Sequence, residues 1–73
     1  MYDYSLLDGK ITEIFRNRGN FAKSMEMSER TLSLKMNNKV PWKQTEISKA
    51  CEKLSLPEEK INAYFFTLKV QPN

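Results

Sequence analysis

The stretch Phe21-Ala22-Lys23-Ser24-Met25-Glu26-Met27-Ser28-Glu29-Arg30-Thr31-Leu32-Ser33-Leu34-Lys35-Met36-Asn37-Asn38-Lys39 decides the fold. Phe21, Ala22 and Met25 form an apolar stripe at helical spacing that is lost by Ser28, and Leu32 and Met36 start another, one turn apart. Ser28 has the chemistry of an N-cap, because its hydroxyl can accept a backbone N–H from the following turn, and Glu29 suits the positive end of the helix dipole. Asn37-Asn38-Lys39 tolerates the left-handed backbone that stops helices. Two short amphipathic helices, over roughly 18–26 and 28–37, therefore meet across about two residues around Met27. That is a helix-turn-helix joint. It needs a small residue where the helices touch, a sharp turn four residues later and an apolar residue locking the second helix to the core; Ala22, Glu26 and Leu32 stand at those places.

Working outward, Leu7, Ile11, Ile14 and Phe15 mark one face of a first helix that begins near Ser5, a residue able to cap it. Asn17 to Asn20, with Gly19, separates it from the second helix. Downstream, Lys39 to Lys43 holds Pro41 and Trp42 and reads as an extended connector whose indole either plugs the core, the favoured reading, or sits at its edge. Ile47, Ala50, Cys51 and Leu54 define a fourth helix, and a fifth starts near Pro57 with Glu58 and Glu59 in its first turn and Ile61, Tyr64 and Phe65 on its inner face. Beyond it Phe66, Leu68 and Val70 alternate with Thr67, Lys69 and Gln71, the period of a short strand. The expectation is an all-α, compact five-helix domain with a helical core over about 5–66 and a tail over 67–73.

A chain of 73 residues has room for one modest core, since this length buries only about 60% of its unfolded surface. Cys51 is the sole cysteine and histidine is absent, which excludes an internal disulfide and a conventional zinc site and leaves triad chemistry without its base. With no paired carboxylates in an evident cleft and no glycine-rich phosphate loop, the expectation is a non-enzymatic protein without cofactor or metal. Cys51, spaced helically from Ile47 and Leu54, reads as a small buried apolar residue. No apolar run approaches the ~18 residues a membrane span needs, and Met1-Tyr2-Asp3-Tyr4 is not the start of a secretory leader, so the reading is a cytoplasmic protein of a bacterial host. The net charge of +3 is unevenly spread: residues 16–43 carry +5, from Arg16, Arg18, Lys23, Arg30, Lys35, Lys39 and Lys43 against Glu26 and Glu29. Such a block suits a phosphate-binding surface and equally a solvated basic face.

With Phe21-Ala22, Ser28-Glu29-Arg30-Thr31-Leu32-Ser33 and Asn37-Asn38-Lys39 in hand, the chain resembles the Cro and repressor type of phage helix-turn-helix proteins, over residues 5–66 or so. Lys39-Val40-Pro41-Trp42 is similar to a segment of small phage proteins of that superfamily. The resemblance implies a lambda-repressor-like domain that binds double-stranded operator DNA as a homodimer and regulates transcription. Glu26 departs from the glycine usual at the turn, and Asn38 from the glycine usual after the third helix.

On that reading the third helix lies in the major groove. Arg30 pairs with guanine, Glu29 accepts from the cytosine amino group, Leu34 packs on a thymine methyl and Ser33 completes the base-reading set. Phosphate contacts fall to Arg18, Lys23, Ser28, Lys35, Asn37, Lys39 and Lys43, with Lys35 ambiguous because its spacing of three from Leu32 brings its stem near the core while its ammonium can snorkel toward a phosphate. Against this, Glu29 serves equally as a dipole partner, and Leu34 as a core residue. Tyr64, Phe65, Phe66, Leu68 and Val70 are assigned to the dimer interface, the alternative being a tail folded back on its own core. A rival reading, kept open by Glu26 and Glu29, is a protein-interaction module, antirepressor-like or antitoxin-like, that has the fold without base readout.

Overall fold

A computed structural model describes residues 1–70 as five α-helices: α1 (Ser5–Phe15), α2 (Arg18–Ser24), α3 (Glu29–Met36), α4 (Gln44–Lys53) and α5 (Ile61–Phe65), the last entered through a 3-10 turn over Glu58–Lys60. The expected all-α, five-helix architecture is present. Leu7, Ile11, Phe21, Ala22, Met25, Leu32, Met36, Ala50, Cys51, Leu54 and Phe65 form one core to which every helix contributes. All of them follow the expected helical faces; of the other stripe residues, Phe15, Ile47, Ile61 and Tyr64 are partly buried against this core and Ile14 is 43% exposed. Phe15 and Phe21 meet edge to face at 5.3 Å and fasten α1 to α2.

Helix boundaries follow local chemistry. Ser28 caps α3 as expected, its hydroxyl accepting the Thr31 N–H at 3.0 Å, and Asn17 caps α2 by accepting the Asn20 N–H at 2.8 Å. Ser5 is the first residue of α1 and not its cap; its N–H donates to Asp3 Oδ1 at 2.8 Å. The exits of α2, α3 and α4 repeat one device. Glu26, Asn38 and Ser55 each adopt positive φ (60°, 61° and 53°). Around each, two paired bonds close the last turn: Glu26 N–H to Lys23 O with Met27 N–H to Ala22 O, Asn38 N–H to Lys35 O with Lys39 N–H to Leu34 O, and Ser55 N–H to Glu52 O with Leu56 N–H to Cys51 O. These are three Schellman motifs with no glycine in any of them. The helix-turn-helix joint is the first, so the departure at Glu26 leaves the turn geometry intact.

Phe66–Val70 does not build a sheet. Its alternation serves a single antiparallel bridge, Tyr2 to Leu68, flanked by Asp3 N–H to Thr67 O at 2.7 Å and Lys69 N–H to Met1 O at 3.0 Å. The two chain ends thus clasp each other. Of the expected 67–73 tail, residues 71–73 lie outside the described residues. Asn38 holds the other edge of the N-terminal segment: the Tyr2 N–H donates to Asn38 Oδ1 at 2.8 Å and Asn38 Nδ2 donates to Tyr2 O at 2.9 Å, as a neighbouring strand would.

Candidate functional site

Helix α3 and the connector that follows it were the sequence's candidates, and the structure divides their residues into two groups. Glu29, Arg30 and Asn37 are exposed and Ser33 and Leu34 half-buried. Arg30 and Lys23 stand in solvent with no ion pair to a described residue. Lys39 and Lys43 are likewise exposed and in no ion pair among the described residues, whereas Glu29, Arg18, Asn37 and Ser28 are engaged within the molecule. The Glu29 carboxylate lies over Gly19 in the first turn of α2, so close that a Cβ there would sit 2.8 Å from Oε1. Arg18 Nε donates to Asp8 Oδ1 at 2.9 Å, tying α2 to α1. Asn37 Nδ2 returns to Ser33 O at 2.9 Å. The Ser28 hydroxyl is taken up in capping α3.

Lys35 corrects the sequence reading most sharply. Expected to reach a phosphate, it is only 2% exposed: its ammonium donates to Glu46 Oε1 at 2.8 Å and to Pro41 O at 3.0 Å, and lies 5.8 Å from the centre of the Trp42 ring. Lys35 falls one turn from Leu32, and its stem follows the core stripe inward. Burial pushes the Glu46 carboxyl up, but the Lys35 ammonium, the Lys43 backbone N–H and the charges of both lysines outweigh it and hold Glu46 below the usual carboxylate range. Glu46 also binds the Lys43 N–H at 2.8 Å, which is half of a capping box; a lysine side chain has no acceptor for the other half. One buried ion pair therefore joins α3, the connector and the start of α4.

The tail residues separate in the same way. Phe65 is 1% exposed, a core residue that cannot face a second copy, because α5 turns it against the edge of Trp42 at 5.3 Å. Tyr64 is half-buried, whereas Phe66, Leu68 and Val70 are exposed. Trp42 packs on the core instead of filling it, and with Tyr2, Tyr4, Asn38, Val40, Pro41, Ile47, Phe65 and Phe66 it lines a groove of about 360 Å³. A shallower depression shares Ile47 and Phe66 and adds Ile61. The indole Nε1 is buried and has no acceptor among the described residues. Nothing in the periodicity of α3 points to this groove. Its one signal is Pro41-Trp42 beside an apolar tail, two segments far apart in the chain.

Fold and surface together define a small helix-turn-helix domain in which one of the expected phosphate ligands, Lys35, is turned into the core. Residues 1–68 match the family described as "Protein of unknown function (DUF739)", and the chain belongs to that family. Among solved structures it is similar to the modulator of repression of the temperate bacteriophage TP901-1 from Lactococcus lactis, with 54% identity, a TM-score of 0.81, and coverage of 96% of this chain and 95% of that one. No curated protein matches. These findings overturn the resemblance to the Cro and repressor type and, with it, the expectation of a DNA-binding repressor that regulates transcription through an operator: the similar protein is a modulator of repression and not a repressor. A shared helix-turn-helix explains the error, since the joint identifies the fold without identifying what its outer face contacts. Among the described residues no helix is long and apolar enough to cross a membrane.

Proposed function

We propose that this chain is a non-catalytic protein-interaction module that binds a phage repressor protein inside the bacterial host and alters its repression. The observation that carries this reading is the 54% identity to a modulator of repression, over nearly the full length of both chains. At that level the fold and much of the surface are shared, so a common kind of partner is the direct inference. The side chains agree with it. Of the basic residues assigned to a phosphate surface, Lys35 is buried against Glu46 and Arg18 is held by Asp8, while Glu26 and Glu29 add acidic groups around the joint. A surface of mixed charge beside an aromatic groove is the composition of a protein interface, where aromatic anchors are surrounded by a polar rim.

The test is co-elution on size exclusion of the purified chain with the repressor encoded in the same phage genome. The expected outcome is a complex larger than either protein, reproduced as saturable binding by titration calorimetry. Separate elution at concentrations of about 100 μM, with no heat of binding, would remove the reading.

A further inference from the structure

We infer that the chain self-associates through its tail: Phe66–Val70 of one copy pairs antiparallel with the same segment of a second copy, about a two-fold axis beside Leu68, so that two clasps join into one small sheet. The inference is independent of the repressor-binding reading, because it rests on the backbone of this chain and not on its relative.

The hydrogen bonds of the clasp decide which edge is open. Asp3 N–H donates to Thr67 O and Lys69 N–H to Met1 O, so the residues on either side of Leu68 face the N-terminal segment. In an antiparallel pair, a residue between two such bonds turns its own N–H and C=O to the opposite edge. For Tyr2 that edge is closed by the Asn38 amide, which accepts from the N–H and donates to the C=O. Nothing equivalent closes the edge at Leu68. Its N–H and C=O, the Phe66 C=O and the Val70 N–H bond to no described residue, and every residue from Phe66 to Val70 is exposed. A row of unpaired backbone groups in extended conformation is a template for another strand.

An identical edge satisfies these groups without remainder. With Leu68 opposite the second copy's Leu68, each Leu68 N–H meets the other's C=O, and each Val70 N–H meets the other's Phe66 C=O. The ladder stops there, since the Phe66 N–H is already bonded to Asn62 O at 3.0 Å. Side chains agree with this register. Phe66, Leu68 and Val70 alternate onto one face and are 45%, 66% and 93% exposed. Tyr2 stands opposite Leu68 on that face, its ring edge to face with Phe66 at 5.7 Å. Pairing aligns this apolar row with its counterpart in the second copy. Thr67 and Lys69 take the other face, where the register sets Lys69 against the second copy's Thr67 and not against its Lys69. Asp3 lines the same small depression as Lys69 and supplies the opposite charge, so no uncompensated repulsion opposes the pairing.

An interface this small is weak, so the experiment spans concentration: amide spectra and the rotational correlation time of the ¹⁵N-labelled full chain are recorded from about 20 μM to about 2 mM. The amides of Leu68 and Val70 are expected to move downfield along one saturating curve while the correlation time rises towards twice its dilute value. Those of Asp3 and Lys69, already bonded inside the clasp, should move little. Leu68→Pro removes the outward N–H and keeps both inward bonds, which use neighbouring residues, and is expected to weaken self-association at least about tenfold. Val70→Lys, at an exposed position, should act in the same sense and serves should proline open the clasp, an event the Asp3 amide reports. The inference is overturned if the Leu68 amide and the correlation time stay constant to about 2 mM, if the amides that move lie on another face, or if both variants associate as the parent does. A Leu68 amide that moves only when the repressor is added also overturns it, and assigns the edge to the partner protein. Co-elution with the repressor is read separately, so a failed dimer leaves the proposed function standing, and a failed complex leaves the dimer.

Discussion

At the scale of single residues, three positions share one backbone conformation and differ in what they gain from it. Glu26, Asn38 and Ser55 all close Schellman motifs at positive φ. A non-glycine there costs about 1 kcal/mol. Glu26 has little to offset this, since its carboxylate is 84% exposed and 3.8 Å from Lys49 Nζ, a pair of small worth in solvent. Glu26→Gly is therefore expected to stabilise the fold by about 0.5–1 kcal/mol in urea denaturation, with Ser55→Gly acting in the same sense. Asn38→Gly should do the reverse. It relieves a milder strain, because asparagine enters this region readily, and it loses both bonds to Tyr2, for a net destabilisation of about 1 kcal/mol. If all three glycine variants moved stability in one direction, the strain-and-clasp account would be wrong. The sequence made the stop signals visible at Asn37-Asn38-Lys39 and placed the turn at Glu26. It did not reveal the clasp, because Tyr2 and Asn38 are 36 residues apart and no periodicity links them.

At the scale of elements, the join between α3 and α4 depends on a buried charge pair. Lys35→Met leaves Glu46 with its carboxylate only 22% exposed and without its ammonium, and is expected to cost about 3 kcal/mol or more. Lys35→Met combined with Glu46→Met removes both charges and should cost clearly less than the two single changes together, the remainder reflecting the lost bond to the Lys43 N–H. Additive single and double losses would mean that the pair is not coupled. The same pair sets an acid limb. Glu46 titrates below an ordinary carboxylate in the folded chain, so its contribution is present at neutral pH, above the unfolded value, and is lost as pH falls through the lowered folded value. Glu46→Gln should flatten stability against pH in that acid window and leave the neutral region flat as before. Here the sequence reading failed for an identifiable reason. The spacing of three from Leu32 places the Lys35 stem near the core, but the direction of its ammonium depends on a partner, Glu46, that only tertiary structure supplies.

At the scale of the whole molecule, all five helices and their order were legible, because each carries its own apolar stripe and its own stop. Phe65 and Phe66 show where that legibility ends: adjacent aromatics with similar spacing arguments, one 1% exposed in the core and the other 45% exposed at a groove. The groove itself joins the N-terminal segment, the connector, α4 and the tail, a meeting that one-dimensional patterns do not encode. Function lay further still from the pattern. A helix-turn-helix joint serves base readout and protein docking alike, and only the outward side chains and the relationship to a modulator of repression separate them.

We propose that this fold meets a repressor and not an operator. Fluorescence anisotropy of a labelled duplex from the phage's repressor-controlled region tests it, with the chain alone, the repressor alone and the two together. The chain alone is expected to leave the anisotropy unchanged at about 0.1 M salt, and its addition to the repressor to shift the repressor's binding midpoint by about tenfold or more. Tight, salt-sensitive binding of the duplex by the chain alone, with the repressor's own binding curve unmoved, would contradict it.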